Sequence, residues 1–441
     1  MNAQPSFNPP CGPITGWRDG GVLRATGIPY ATAARFQPPV SASDWTAPFS
    51  ATSLSPACPQ APVPFLDEIL GTRYGEIPGS EDCQRLSITL PPDLQDNERV
   101  PVMVWLHGGS YTSGSGDLAI FDPKALVAEN RIIVVSVTYR LGLFGYLAAG
   151  TGRPANLGLL DQIEAFRWVK RNISAFGGDP DNVTAFGQSA GGDAVAHLMA
   201  TPEAPALFRR AIIQSAPLGI ARGRGRMNAA MGVAAESVTE ETPAMEVVAV
   251  EDTVAQVARK FGLMAAMPFG TQYGHDPLPA ETGIDAAWDV VAPEIEVLIG
   301  HTSDEARLFM PRSRFVGRLA AVPVLGTAVV KALNWAVTEA VYGKSARKFA
   351  RRHTRAGGTA YSYVLTWGAP GNFYGAAHTV DLPLLFGDQR TWEGAGLLAG
   401  ATWEEINSRG RALRAVWARF ASGQGLDGQG GIPGALKYRA V

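Results

Sequence analysis

The sequence predicts an α/β fold, a mostly parallel twisted sheet with helices on both faces. Short apolar runs rich in β-branched residues alternate along the chain with helical periodicity, as in strands joined by crossover helices. Turn residues bound these runs, and 50 glycines with 32 prolines in 441 residues provide for many tight turns. Hydrophobic residues make up 46% and charged residues 18%, which supplies a large core and excludes a disordered chain. Basic and acidic residues number 38 and 40, a formal charge of −2, which offers no electrostatic footprint for nucleic acid.

Taken in order, Val100–Leu106 is an apolar run that stops at His107-Gly108-Gly109, and Arg131–Val137 is a second. Both read as buried strands. From Leu159 the period changes: Leu159, Ile163, Phe166, Val169, Ile173 and Phe176 recur three or four apart with charged residues between them. That is an amphipathic helix, closed by Gly177-Gly178-Asp179-Pro180. Val183–Phe186 then reads as a strand leading into Gly187, and Ala211–Ile213, Glu296–Ile299 and Tyr361–Leu365 are further strands.

The stretch from about 218 to 290 has weaker periodicity and carries Arg222, Arg224 and Arg226 among glycines, a pattern that more often marks solvated surface than an anion site. It reads as a cover excursion over the sheet, with a second at about 310–355, within a single domain spanning 1–441. The apolar stretch Leu319–Val330 contains Pro323 and Gly326 and is bracketed by Arg318 and Lys331, so a buried or pocket-lining segment is expected rather than a membrane anchor. The start MNAQPSF has no basic, apolar leader, and a cytoplasmic protein is expected. Cys11, Cys58 and Cys83 lack any spacing for zinc.

The sharpest local motif is Gly187-Gln188-Ser189-Ala190-Gly191, a G-x-S-x-G match between a strand and a helix. A serine on so tight a turn needs glycines two residues to either side, and the turn pushes its hydroxyl out of the sheet. By itself the pentapeptide is also compatible with an ordinary Gly-rich turn. Upstream, His107-Gly108-Gly109-Ser110-Tyr111 follows a strand, and small residues there let backbone N–H groups approach a carbonyl oxygen that gains charge. Gly109, Ser110 and Ala190 are the candidate donors.

A serine nucleophile also needs a base and a group to orient it. Of six histidines, His107 precedes the serine and His197 lies on the helix after it. His275 reads as a turn, and Arg351-Arg352-His353 as solvated basic surface. His378, flanked by small residues after a strand, has the best spacing. Among the acids, Asp304-Glu305 stand just past a strand and are the best placed, with either residue open on spacing alone.

These segments, with others, resemble type-B carboxylesterases of the cholinesterase and para-nitrobenzyl esterase family, which have the α/β-hydrolase fold. The matching segments run through Gly27–Ala31 with Arg35-Phe36, Ser80–Cys83, Leu106–Gly109, Tyr139–Gly142 and Asn156–Gln162. They continue through Asn172–Pro180, Gly187–Gly191, Gln214–Ala216, Thr302–Glu305 and Gly375–His378. The resemblance implies Ser189 as nucleophile, Glu305 rather than Asp304 as acid, and His378 as base. It also implies a disulfide-competent pair in Cys58 and Cys83, a structural ion pair of Arg35 with Glu81, and Ser215 behind the acid. Cys11 is left without a partner.

The chain departs from that family at three points. Ser110 stands where a glycine or alanine is common, and the neutral Gln188 stands where cholinesterases often carry glutamate. No tryptophan lies between Cys58 and Cys83, which argues against a choline ester. The expectation is a serine carboxylesterase acting on neutral, largely apolar small-molecule esters, with no cofactor or metal, as a monomer or homodimer. An amidase, carbamate hydrolase or thioesterase with the same triad is the alternative. A non-catalytic binding protein on the same fold is disfavoured, because all three triad residues are present.

Overall fold

The computed structural model describes residues 4–72, 74–95, 97–150, 152–312 and 325–441. We number the strands of the central sheet β1 Trp17–Asp19, β2 Val22–Pro29, β3 Arg85–Leu90, β4 Val100–Leu106, β5 Ile133–Thr138 and β6 Gly178–Gln188. They continue as β7 Arg210–Gln214, β8 Glu296–Thr302, β9 Ala360–Leu365, β10 Gln429–Ile432 and β11 Leu436–Ala440. The helices needed below are α1 Leu157–Asn172, α2 Ala190–Leu198, α3 Ala244–Ala258, α4 Leu325–Thr338, α5 Lys344–Arg355 and α6 Trp403–Ala421.

The eleven strands lie in the order β10-β11-β9-β8-β7-β6-β4-β5-β3-β2-β1. The six from β9 to β5 are parallel, and the pairings outside them are antiparallel. Parallel strands need long crossovers whose helices cover the sheet, so both faces are apolar. In β4, Val102, Val104 and Leu106 enter the core on one face, and Met103 and Trp105 enter the core on the other. The first core takes α1 and α2 through Phe166, Val169, Ala194 and Leu198. The second takes α6 through Leu413, Trp417 and Phe420, with Trp105 packed among Phe121, Phe186 and Phe386 at centroid distances of 4.7–5.5 Å.

Two sequence readings are adjusted. The helix expected over Leu159–Phe176 is α helical only to Asn172, and Ile173–Phe176 tightens into a 3₁₀ turn ended by Gly177 at φ 83°. The strand read as Val183–Phe186 is the core of a longer β6 with an irregularity between Gly178 and Val183. Much of Leu319–Val330, from 319 to 324, lies outside the described residues. No described helix is long and apolar enough to cross a membrane.

Buried ionisable side chains join separate segments. Arg140, just past β5, meets Asp161 of α1 through Nε at 2.8 Å and Nη2 at 2.7 Å, with side chains 5% and 0% exposed. Asp161→Ala strands the guanidinium in the core, and a loss of about 3–5 kcal/mol is expected in urea unfolding. Glu251 of α3 accepts the Leu143 N–H at 2.8 Å, and burial pushes its carboxyl up to about 8. Between the ordinary glutamate value of about 4.3 and that raised value, the unfolded chain is ionised while the folded chain is not. Stability is therefore expected to fall as pH rises through this window, by about 1.4 kcal/mol per pH unit from this one group. Glu251→Gln keeps the acceptor and removes the ionisation, so its urea midpoints should differ less between pH 5 and pH 8 than those of the parent.

Candidate active site

The site forms where β4, β6 and β8 end, at the carboxyl edge of the parallel strands, the usual place for a crevice in such sheets. Ser189, between β6 and α2, has φ 59° and ψ −123°, a conformation that L-residues avoid. Its N–H donates to Gln214 O and its carbonyl accepts from Asp193 N, each at 2.9 Å. Space dictates the flanking glycines. A β-carbon at 187 would stand 2.5 Å from the Gly191 carbonyl carbon, and one at 191 would stand 1.9 Å from Leu106 O.

The loop after β4 lies against this turn. A β-carbon at Gly108 would be 3.1 Å from Ser189 Cβ. Gly109, Ser110 and Tyr111 all have positive φ, at 113°, 56° and 61°. The Gly109 carbonyl is turned back into the loop, where it accepts the Thr112 and Ser113 N–H groups at 3.0 Å. Among the described residues, neither Gly109 N–H nor Ser110 N–H donates to a backbone carbonyl. Ala190 opens α2, so its N–H has no acceptor one turn back.

His378, in the loop after β9, is buried, and its Nδ1 is tightly hydrogen-bonded to Glu305 Oε2. The other Glu305 oxygen accepts the Thr302 N–H at 2.7 Å. Burial works to raise the Glu305 carboxyl, but the charge and hydrogen bond of His378, with the Ser215 hydroxyl, bring it below its ordinary range. Ser215, at φ 48°, is fixed by its N–H on Gly300 O at 2.9 Å. Asp304 points elsewhere: it pairs with Arg307 at 3.1 Å and accepts Asn334 Nδ2 at 2.9 Å. The structure thus separates two neighbouring acids that spacing left open.

The other ring nitrogen of His378 stands 3.3 Å from Gln188 Nε2, beside Ser189. Among the described residues, no hydrogen bond joins Ser189 Oγ to the ring. Three neighbours of His378 went unread in the sequence. Tyr342, in a π turn spanning Glu339–Gly343, has its ring 5.4 Å from the imidazole, and Phe309 lies at 5.7 Å. Asp381 accepts Gln214 Nε2 at 2.6 Å, and burial pushes its carboxyl up to about 6. Asp381 had a local signal, three residues past the histidine. Tyr342 had none, because only the long crossover brings it there.

His107 and His353 are held elsewhere. His107 stacks on Tyr139 at 4.4 Å, and burial pushes it down to about 4. His353, expected on a solvated surface, is buried and corrected here. In α5, Ala346, Phe349, Ala350 and His353 form the inward stripe, with His353 Nε2 2.8 Å from Ile295 O, while Arg351 stays exposed. The arginine trio disperses: Arg222 forks onto Asp285, Arg226 is exposed, and Arg224 is buried against Pro268 O at 2.6 Å. For Arg224, too, the solvated reading is overturned.

Cys58 and Cys83 are fully buried side by side as thiols. A hydrogen bond with Cys58, together with burial, pushes the Cys83 thiol well up. Cys11 is buried apart, and burial raises it to about 11. Arg35 pairs with Glu81 through both guanidinium nitrogens that face it. Among the described residues, no group of three or more His, Cys, Asp or Glu could hold a metal.

Known proteins agree with this architecture. The model of the carboxylesterase family matches residues 3–315. The chain belongs to the carboxylesterase family. A probable N-octanoylanthranilate hydrolase of Rhodococcus erythropolis is 37% identical over 420 residues, covering 93% of this chain and 91% of that protein. The para-nitrobenzyl esterase of Bacillus subtilis is 37% identical over 316 residues, covering 68% and 62%. A solved thermophilic para-nitrobenzyl esterase superposes with a TM-score of 0.78 at 29% identity, over 95% of this chain and 91% of that one. This carboxylesterase has the α/β-hydrolase fold and is a carboxylic ester hydrolase.

The turn at Ser189 admits no side chain at 191. Gly191→Ala is expected to lower esterase turnover at least about 100-fold, since the clash with Leu106 O would displace the Ser189 turn and a shift of about 1 Å in a site costs that much. Initial rates on an aryl ester, with circular dichroism to check folding, would measure this.

Proposed function

We propose that this carboxylesterase hydrolyses neutral carboxylic esters through a Ser189–His378–Glu305 triad and an acyl-enzyme. The buried hydrogen bond of Glu305 to His378 Nδ1, set beside the strained Ser189 turn, carries the proposal. His378 Nε2 takes the proton of Ser189 Oγ as that oxygen attacks the ester carbonyl. Glu305 holds the ring in the tautomer with hydrogen on Nδ1 and stabilises the imidazolium. The N–H groups of Gly109, Ser110 and Ala190 receive the oxyanion, and the alcohol leaves with the proton from His378. Water then releases the acid through the same groups, with no cofactor needed.

The resting contact of His378 with Gln188 fits this cycle, because catalytic hydrogen bonds often tighten only when substrate is bound. The neutral Gln188 and the rings of Tyr342 and Phe309 around the imidazole support an uncharged, apolar substrate. A second reading, cleavage of an N-acyl bond, is favoured by the relative named for N-octanoylanthranilate.

Ser189→Ala and His378→Ala are each expected to lower kcat at least about 10⁴-fold, and Glu305→Gln about 10³–10⁴-fold. An organophosphate should label the parent once per chain and leave Ser189→Ala unlabelled. Full turnover by Ser189→Ala would overturn the proposal. Rates on an ester and an amide of the same acyl group would decide between the two readings.

A further inference from the structure

The loop after β4 and the start of α2 reach the site from different parts of the chain, yet their N–H groups must converge on one oxygen. A buried side-chain hydrogen bond joins them. Tyr111 directly follows Gly109 and Ser110, and its hydroxyl donates to Asp193 Oδ2 at 2.8 Å. Asp193 lies in the first turn of α2, three residues past Ala190, with its N–H on Ser189 O. Both side chains are buried, at 0% and 1% exposure.

Ser110 and Tyr111 are consecutive non-glycine residues in the left-handed region. Such strain persists only where the surroundings over-determine it. Here the Tyr111 carbonyl accepts the Gly142 N–H at 2.6 Å, its ring lies 4.2 Å from that of Tyr146, and its hydroxyl is anchored on α2.

The anchor is itself braced. His197, one turn along α2, has Nδ1 2.7 Å from Asp193 O and 3.3 Å from Asp193 Oδ2. Its Nε2 stands 2.8 Å from the Tyr273 hydroxyl. Asp193, buried in the core, has no part in the reaction cycle above. Among the described residues, its one hydroxyl partner is the residue that ends the donor loop.

We propose that Tyr111 and Asp193 are positioning residues that lock the Gly109–Ser110 loop to the helix start at Ala190, so that three N–H groups meet one oxyanion. The inference rests on the reading of those groups as oxyanion donors. Without the lock the loop is free to relax from its strained conformation, and the donors lose alignment towards the tetrahedral oxygen. Ground-state binding of the ester, which uses other contacts, is unaffected.

The test uses the full chain, an aryl butyrate ester and an alkyl trifluoromethyl ketone. Ser189 Oγ adds to the ketone carbon, its proton passes to His378, and the carbonyl oxygen becomes an alkoxide in the same donor set. Tyr111→Phe is expected to lower kcat about 10-fold with KM within about 2-fold, and to weaken the ketone in proportion to kcat/KM. Asp193→Asn keeps an acceptor for the hydroxyl and should stay near the parent, whereas Asp193→Ala should match Tyr111→Phe. The double variant Tyr111→Phe/Asp193→Ala should be no worse than either single change.

Unchanged kcat and ketone affinity in Tyr111→Phe would overturn the inference, as would additive losses in the double variant. If Asp193→Ala does not fold, Tyr111→Phe and Asp193→Asn decide alone. A Ser189→Ala variant that keeps turnover would instead sink the triad reading. A dead Ser189→Ala beside an unimpaired Tyr111→Phe would sink only the lock.

Discussion

A missing β-carbon at position 191 is the constraint on which the site depends. The carbonyl of Leu106 occupies that space, so α2 starts in direct contact with the end of β4. The close approach does two things together. It holds Ser189 at the apex of a turn no ordinary residue adopts, and it brings the Gly108–Ser110 loop alongside that turn. Parallel neighbours make this possible, since β4 and β6 pair directly and end at the same edge of the sheet.

Electrostatics at that edge are settled by burial. Glu305 sits in the core with one oxygen on a backbone N–H and the other on His378, so a buried charge has partners on both sides. Asp381 lies nearby with a raised carboxyl, attached to Gln214, whose carbonyl also holds the Ser189 N–H. The chain carries few charges, and several of the polar pairs it buries, including Arg140 with Asp161 and Tyr111 with Asp193, join separate segments. These links work as registration devices, because an unpaired partner in such a core is costly.

Much of this was legible beforehand. Ser189 carried a local motif whose glycines have a steric reason, and the apolar runs marked β4 to β9 because strands buried on both faces read as continuous hydrophobic stretches. His378 stood out by spacing and small neighbours. Which acid meets His378 was not legible from spacing, since Asp304 and Glu305 are adjacent, and only the direction each side chain takes separates them. His353 was misread because two arginines before it suggested solvent, whereas the helical stripe it shares with Phe349 faces inward. Arg224 was misread for the same reason, as charge in a run says nothing about which member turns in.

The sequence by itself determined the fold class, the tight turn around Ser189 and the family resemblance, because steric limits and hydrophobic periodicity act between near neighbours in the chain. Only the tertiary structure decided which acid meets His378, that Gln188 rests against its ring, and that Tyr342 and Phe309 line it. It also joined Tyr111 to Asp193, 82 residues apart. Contacts at such separations depend on how crossovers pack onto the sheet, and no local pattern encodes that distance.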